Sequence, residues 1–216
     1  MVDQPTDTNA SRLAGRAEWT QVVVGTPLTT RSDSVWTLRE SEDQMDATEL
    51  RAKQRPLKDA YREDPAKALV TSTAEGRCAA DGIAIILNTT AGPVRAGLHP
   101  ATGGDGSEAC SGDILLQALV ACAGVTLRSV ATAMGVELRD AVVRATGTWD
   151  ARGTLGVDRS VPVGLLAVDL RFALDTPADD ATVSRLIDLT ERYCVIAQTL
   201  AHPPTLTFGR ADGVAG

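Results

Sequence analysis

DILLQALVACAGVTLRSVATAMG, residues 113–135, is the stretch on which the fold turns. It reads as one long helix, with Asp113 in the first turn, where a carboxylate suits the helix dipole, and Gly135 as the residue that closes it. The stretch is apolar nearly all round, so the helix is expected at the centre of the molecule. Cys122 shares a face with Leu115, Leu119 and Val130, at offsets of 7, 3 and 8 residues. Either it is a small hydrophobe filling a core, as buried free cysteine commonly is, or it is a thiol placed to react.

A second helix is expected from about Asp179 to Leu200, after Pro177. Val183, Ile187, Thr190 and Cys194 follow one another at spacings of 4, 3 and 4, which puts Cys194 on its inward face. The two inward cysteines could meet where the helices cross. Periodicity goes no further, because redox work also needs a stabilised thiolate, access, and sulfurs close enough to bond.

The rest of the chain reads as strands around these helices. ALVTSTAEGRCAA (68–80), GIAIILNTT (82–90) and PVRAGL (93–98) read as a meander, with GIAIILN expected to be the most buried. A glycine-rich loop (99–113) leads into the first helix. VVRATGTWDARG (142–153) and VGLLAVDLRFALDT (163–176) form a hairpin, in which Leu166, Val168, Leu170 and Phe172 alternate with Ala167, Asp169 and Arg171. HPPTLTFG (202–209) reads as a short final strand. The fold class is α+β, with two central helices on antiparallel sheet. Residues 45–67 are expected to be helical, kinked or split at Pro56. Residues 1–44 are polar, with one strand-like patch, QVVVG (21–25), and are expected to be a poorly ordered or dispensable arm, with translation starting at Met45.

Composition narrows the function. The chain has 216 residues, 44% hydrophobic and 3% aromatic, so the core is built from Ala, Val, Leu and Ile. A net charge of −7 argues against nucleic acid as a partner. No uninterrupted apolar run is expected to reach spanning length, and the N-terminus has no apolar signal core, so we expect a cytoplasmic protein without membrane contact. Four cysteines, Cys78, Cys110, Cys122 and Cys194, without a CxxC pair or Cys/His cluster, suggest neither a disulfide scaffold nor a zinc site.

Three segments carry a family likeness. SGDILLQALVAC (111–122) resembles the first-cysteine segment of the osmotically inducible protein C (OsmC) family, which includes the organic hydroperoxide resistance proteins. RYCVIAQTLAHPPTLTF (192–208) resembles its second-cysteine segment, and GVELRDAVVRATGTWDARG (135–153) its middle strand. The likeness covers about residues 68–208, and the OsmC-like domain is taken as 68–210. It implies an intertwined homodimer with the cysteine helices at its centre and active sites at the interface. It also implies a thiol peroxidase acting on organic hydroperoxides, with Cys122 peroxidatic and Cys194 resolving. A lipoyl-type dithiol would be the reductant, and no cofactor or metal would be needed.

In the family an arginine and a glutamate support the thiolate. Arg95 is the preferred arginine here and Arg77 the alternative. The usual glutamate position is Gly112, so Asp113 is the nearest acid. Val195 stands where proline commonly follows the second cysteine. Cys110 could act as an alternative resolving partner, or Cys110 and Cys78 could be incidental. These departures keep a second reading open: a non-enzymatic stress-response or small-ligand-binding protein on the same fold.

Overall fold

A computed structural model describes residues 20–24 and 45–208. Apart from 20–24, the arm expected over 1–44 lies outside the described residues. The strand-like patch in that arm forms β1, Thr20–Val24.

Asp46 caps α1 (Ala47–Glu63), its side chain accepting from the Thr48 and Glu49 backbone N–H groups. The helix continues through Pro56, neither split nor ended there. α1 is an exposed helix with no buried residue, so the carbonyl one turn before the proline can turn to water.

The meander follows as β2 (Gly76–Cys78), β3 (Ala84–Thr89) and β4 (Gly92–Gly97). β2 is far shorter than the run 68–80 suggested, because only its last residues find a partner strand. β3 is not the most buried strand: Ile83, next to it, is 74% exposed and Ile86 41%. Among the residues of β2, β3 and β4, only Ala96 is buried. A two-residue strand, β5 (Ala109–Cys110), lies parallel to β4 and completes a four-stranded sheet in the order β2-β3-β4-β5.

α2 (Ser111–Met134) is the central helix, ended at Gly135 with φ 70°, the left-handed conformation glycine adopts without a Cβ penalty. By length and composition its 24 residues would suffice to cross a membrane, contrary to the expectation that no segment would. Its face of Leu119, Ala123, Leu127 and Ala131 is instead buried in the core, at the four-residue spacing of one helix side.

β6 (Asp140–Trp149) and β7 (Leu165–Asp175) form the expected hairpin, with the short helix α3 (Ala151–Thr154) in its connection. β1 adds to the free edge of β7 in parallel, giving a second sheet of order β1-β7-β6. The second helix is two: α4 (Asp180–Tyr193) and α5 (Val195–Ala201), broken at Cys194. No strand forms over 203–208, where Pro203 and Pro204 lack the N–H that a ladder requires.

The observed class is α+β: two sheets, mostly antiparallel, around central helices. The core is the layer between the β6–β7 face and α2, α4 and α5, built from Leu119, Leu127, Phe172, Leu174, Leu186 and Ile187.

Candidate functional site

The site forms where α2 meets the break between α4 and α5. Cys122 is on α2, one residue before the fully buried Ala123, and is itself half-buried. Cys194 is 1% exposed. Residues 72 apart in sequence (194 − 122) thus pack into one core cluster, and each thiol is among the groups that shift the other's pKa. Both are free thiols.

The break explains how the pair is built. Cys194 has φ −74° and ψ 106°, an extended conformation that ends α4 and starts α5. Its N–H still donates to the Thr190 carbonyl at 2.9 Å, and its carbonyl accepts from the Gln198 N–H at 3.0 Å. The N–H groups that open α5 have no acceptor within their own helix. Those of Val195 and Ile196 are among the groups that favour the Cys122 thiolate.

This arrangement separates the two thiols electrostatically. Burial would push the Cys122 thiol up. The Ile196 N–H, the Cys194 thiol, the Val195 N–H and the Thr126 hydroxyl all favour its thiolate, and together they hold it below the ordinary cysteine value. Burial pushes the Cys194 thiol up. The Ala197 and Ile196 N–H groups oppose this, but the neighbouring Cys122 sulfur adds to the rise. Beside Cys194 lies a cavity of about 60 Å³ lined chiefly by apolar side chains, including Leu119, Val168, Leu170 and Phe172. Such surroundings disfavour a charged sulfur.

The other expected site residues lie elsewhere in the chain. Arg95, on β4, donates to the Glu108 carboxylate, to Asp81 Oδ1 at 3.3 Å and to the Asp81 carbonyl at 3.1 Å. Asp113 is exposed in the first turn of α2. Neither is among the groups that set the Cys122 pKa. Arg77 pairs across the sheet with Ile86, which pairs with Arg95, so both candidate arginines share one face of the meander. Cys78 is exposed on β2, and Cys110 is half-buried at the N-cap of α2.

Sequence reading missed three participants: Glu108, Thr126, and the Val195–Ile196 amide pair. Glu108 sits in a stretch read as loop, and only the parallel pairing of Ala96 with Ala109 brings it beside Arg95. Thr126 carried a usable signal, since it lies one turn after Cys122 on the same helix.

Comparison with known proteins agrees with this architecture. Residues 104–209 match the family described as OsmC-like protein, so the meander lies outside the matched segment. No curated protein matches the chain. The crystal structure of an OsmC-like protein from Mycoplasma pneumoniae superposes with a TM-score of 0.53 at 17% identity, covering 62% of this chain and 89% of that one. An organic hydroperoxide resistance protein OsmC from Legionella pneumophila gives a TM-score of 0.45 at 17% identity, covering 62% of this chain and 91% of that one. The organic hydroperoxide resistance protein OhrB of Bacillus subtilis gives 0.44 at 14% identity, covering 62% and 93%. Residues 104–209 thus carry an OsmC-like domain, and the chain shares the fold of the OsmC-like protein from Mycoplasma pneumoniae.

Proposed function

We propose that this protein is a two-cysteine thiol peroxidase that reduces organic hydroperoxides. The observation that carries the reading is the pair itself. One thiol is held below the ordinary value; the other is buried, held above it, and packed in the same core cluster as the first. A peroxidatic and a resolving cysteine need that asymmetry.

The Cys122 thiolate attacks the terminal oxygen of the hydroperoxide. The O–O bond breaks, the alkoxide takes up a proton and leaves as the alcohol, and Cys122 becomes a sulfenic acid. The Cys194 sulfur then attacks the sulfenic sulfur, water leaves, and a disulfide joins the two. A dithiol of lipoyl type reduces that bond by exchange, becoming a cyclic disulfide itself. The chemistry uses sulfur alone. The apolar side chains around the thiols favour a hydroperoxide with a hydrocarbon body over hydrogen peroxide.

The working form in this reading is a homodimer in a reducing cytoplasm. The bare face of the meander carries Ile86 between Arg77 and Arg95, and a second copy covers it. Arg95, held by Glu108, is then the cation presented to the partner's peroxide site, in the place family members give to an arginine–glutamate pair. Asp113 serves as a helix-terminal carboxylate rather than as the arginine's anchor.

The test is turnover with cumene hydroperoxide and a lipoyl dithiol, followed as alcohol formed. The wild-type chain turns over and Cys122→Ser does not. Full activity in Cys122→Ser sinks the mechanism, and a wild-type chain with no activity and no thiol loss leaves the binding-protein reading in its place.

A further inference from the structure

We propose that the apolar cavity beside Cys194 seats the hydrocarbon body of the thiol reductant, which attacks the Cys194 sulfur of the oxidised pair and not the Cys122 sulfur. The inference rests on the two-cysteine reading above and adds to it where the reductant binds and which sulfur it meets.

The cavity lies between the core face of β7 and the helices at the α4–α5 break. Val168, Leu170 and Phe172 line it from β7, Leu200 from α5, and Cys194 from the break itself. Cys122 is not among its lining residues, although Leu119 and Ala123 on either side of it are. The cavity therefore gives onto one sulfur of the pair. At about 60 Å³ it is smaller than the roughly 150 Å³ cavity that takes up a benzene ring, so it suits a slim aliphatic stem.

The polar groups of the lining fix the charge of what enters. The Thr190 hydroxyl already donates to the Leu186 carbonyl at 2.8 Å. Gln198 Nε2 donates to the Glu191 carbonyl at 3.0 Å, tying α5 to α4. Glu191 itself is exposed and lines the cavity, which has no Lys or Arg in its lining. An anionic thiol such as glutathione meets a like charge there, and a neutral aliphatic thiol does not.

Leaving-group chemistry points the same way. A thiolate attacks one disulfide sulfur, the S–S electron pair goes to the other, and exchange is faster when the departing thiol has the lower pKa. Attack on Cys194 expels Cys122, which is held below the ordinary value, whereas attack on Cys122 would expel Cys194, which is held above it. After the first step Cys194 is bonded to the reductant and Cys122 is a thiolate. The second thiol of the reductant gives its proton to solvent and attacks the reductant's own bridged sulfur. The cyclic disulfide closes, and Cys194 leaves and takes up a proton. Two electrons have passed from the dithiol to the pair.

The test uses the full chain carrying Cys78→Ser and Cys110→Ser, oxidised with diamide so that no peroxide is needed. The disulfide is opened with excess mercaptopropanol, a neutral monothiol that cannot complete the second step, and the released thiol is trapped with iodoacetamide. Peptide mass spectrometry without reduction is expected to find mercaptopropanol on Cys194 and the carbamidomethyl group on Cys122. Glutathione opens the same bond several-fold more slowly, and Ala197→Leu, which fills the cavity, slows mercaptopropanol several-fold. The adduct on Cys122, or shared equally between the two cysteines, overturns this proposal alone. So does a filled cavity that leaves the rate unchanged. Diamide failing to join Cys122 to Cys194 overturns it together with the two-cysteine reading. The position of the adduct needs no cavity variant, so it decides the matter even where Ala197→Leu does not fold.

Discussion

At the scale of single residues, Cys122 and Cys194 share one proton environment. Cys122 is held below the ordinary cysteine value, so its thiolate is present above that lowered pKa and is lost as pH falls through it. Alkylation of Cys122 in the wild-type chain accordingly begins at lower pH than in a free thiol, and a profile that coincides with that of a free cysteine peptide contradicts this. Cys194→Ala removes one donor and moves the Cys122 onset upward. The same variant has no resolving sulfur, so excess cumene hydroperoxide carries Cys122 past the sulfenic acid to the sulfinic acid, seen by mass as two added oxygens. The inward positions of both cysteines were legible as helical spacing from Leu119 and from Ile187. The donors around them were not. A backbone N–H leaves no mark in a sequence, and Glu108 reaches Arg95 only through a strand pairing that closes a glycine-rich loop.

At the scale of elements, the decisive feature is the break at Cys194. The residues 179–200 carry a continuous helical pattern with no Gly or Pro to interrupt it, so one helix was the natural reading. The chain instead leaves the helix for a single residue at Cys194, in an extended conformation that a following proline would also favour. Val195 occupies the first position of α5, where proline fits without clash and the N–H has no helical partner. Val195→Pro is therefore expected to leave the melting temperature within a few degrees of wild type. It also deletes one amide donor to Cys122, and its alkylation near neutral pH slows several-fold. A large loss of stability in that variant contradicts the account of the break. Gly135 gives a second test. Its φ is 70°, and no atom lies within 4 Å of the point a Cβ would occupy. Gly135→Ala therefore costs about 1 kcal/mol from backbone strain alone, measured by urea unfolding.

At the scale of the whole molecule, the chain divides into a well-filled core and an uncovered sheet. Leu127 and Leu186 are 1% and 0% exposed between α2, α4 and the hairpin, so truncation of either to alanine costs about 3 kcal/mol. The meander is the opposite case, with apolar Ile83 and Ile86 open to solvent. Its hydrophobic pattern made β3 look like the most buried strand, because a sequence records that a face is apolar and not which molecule covers it. On the dimeric reading, light scattering gives twice the mass of one chain, and Ile86→Asp lowers it toward one; a wild-type monomer contradicts that assembly. The central claim is the redox pairing of Cys122 with Cys194, and disulfide mapping tests it most directly. After one equivalent of cumene hydroperoxide, non-reducing peptide mass spectrometry is expected to find the Cys122 and Cys194 peptides joined and those of Cys78 and Cys110 free, with lipoyl dithiol reversing the link. Both core thiols surviving the oxidant unchanged, or Cys122 linked to Cys110 instead, would contradict it.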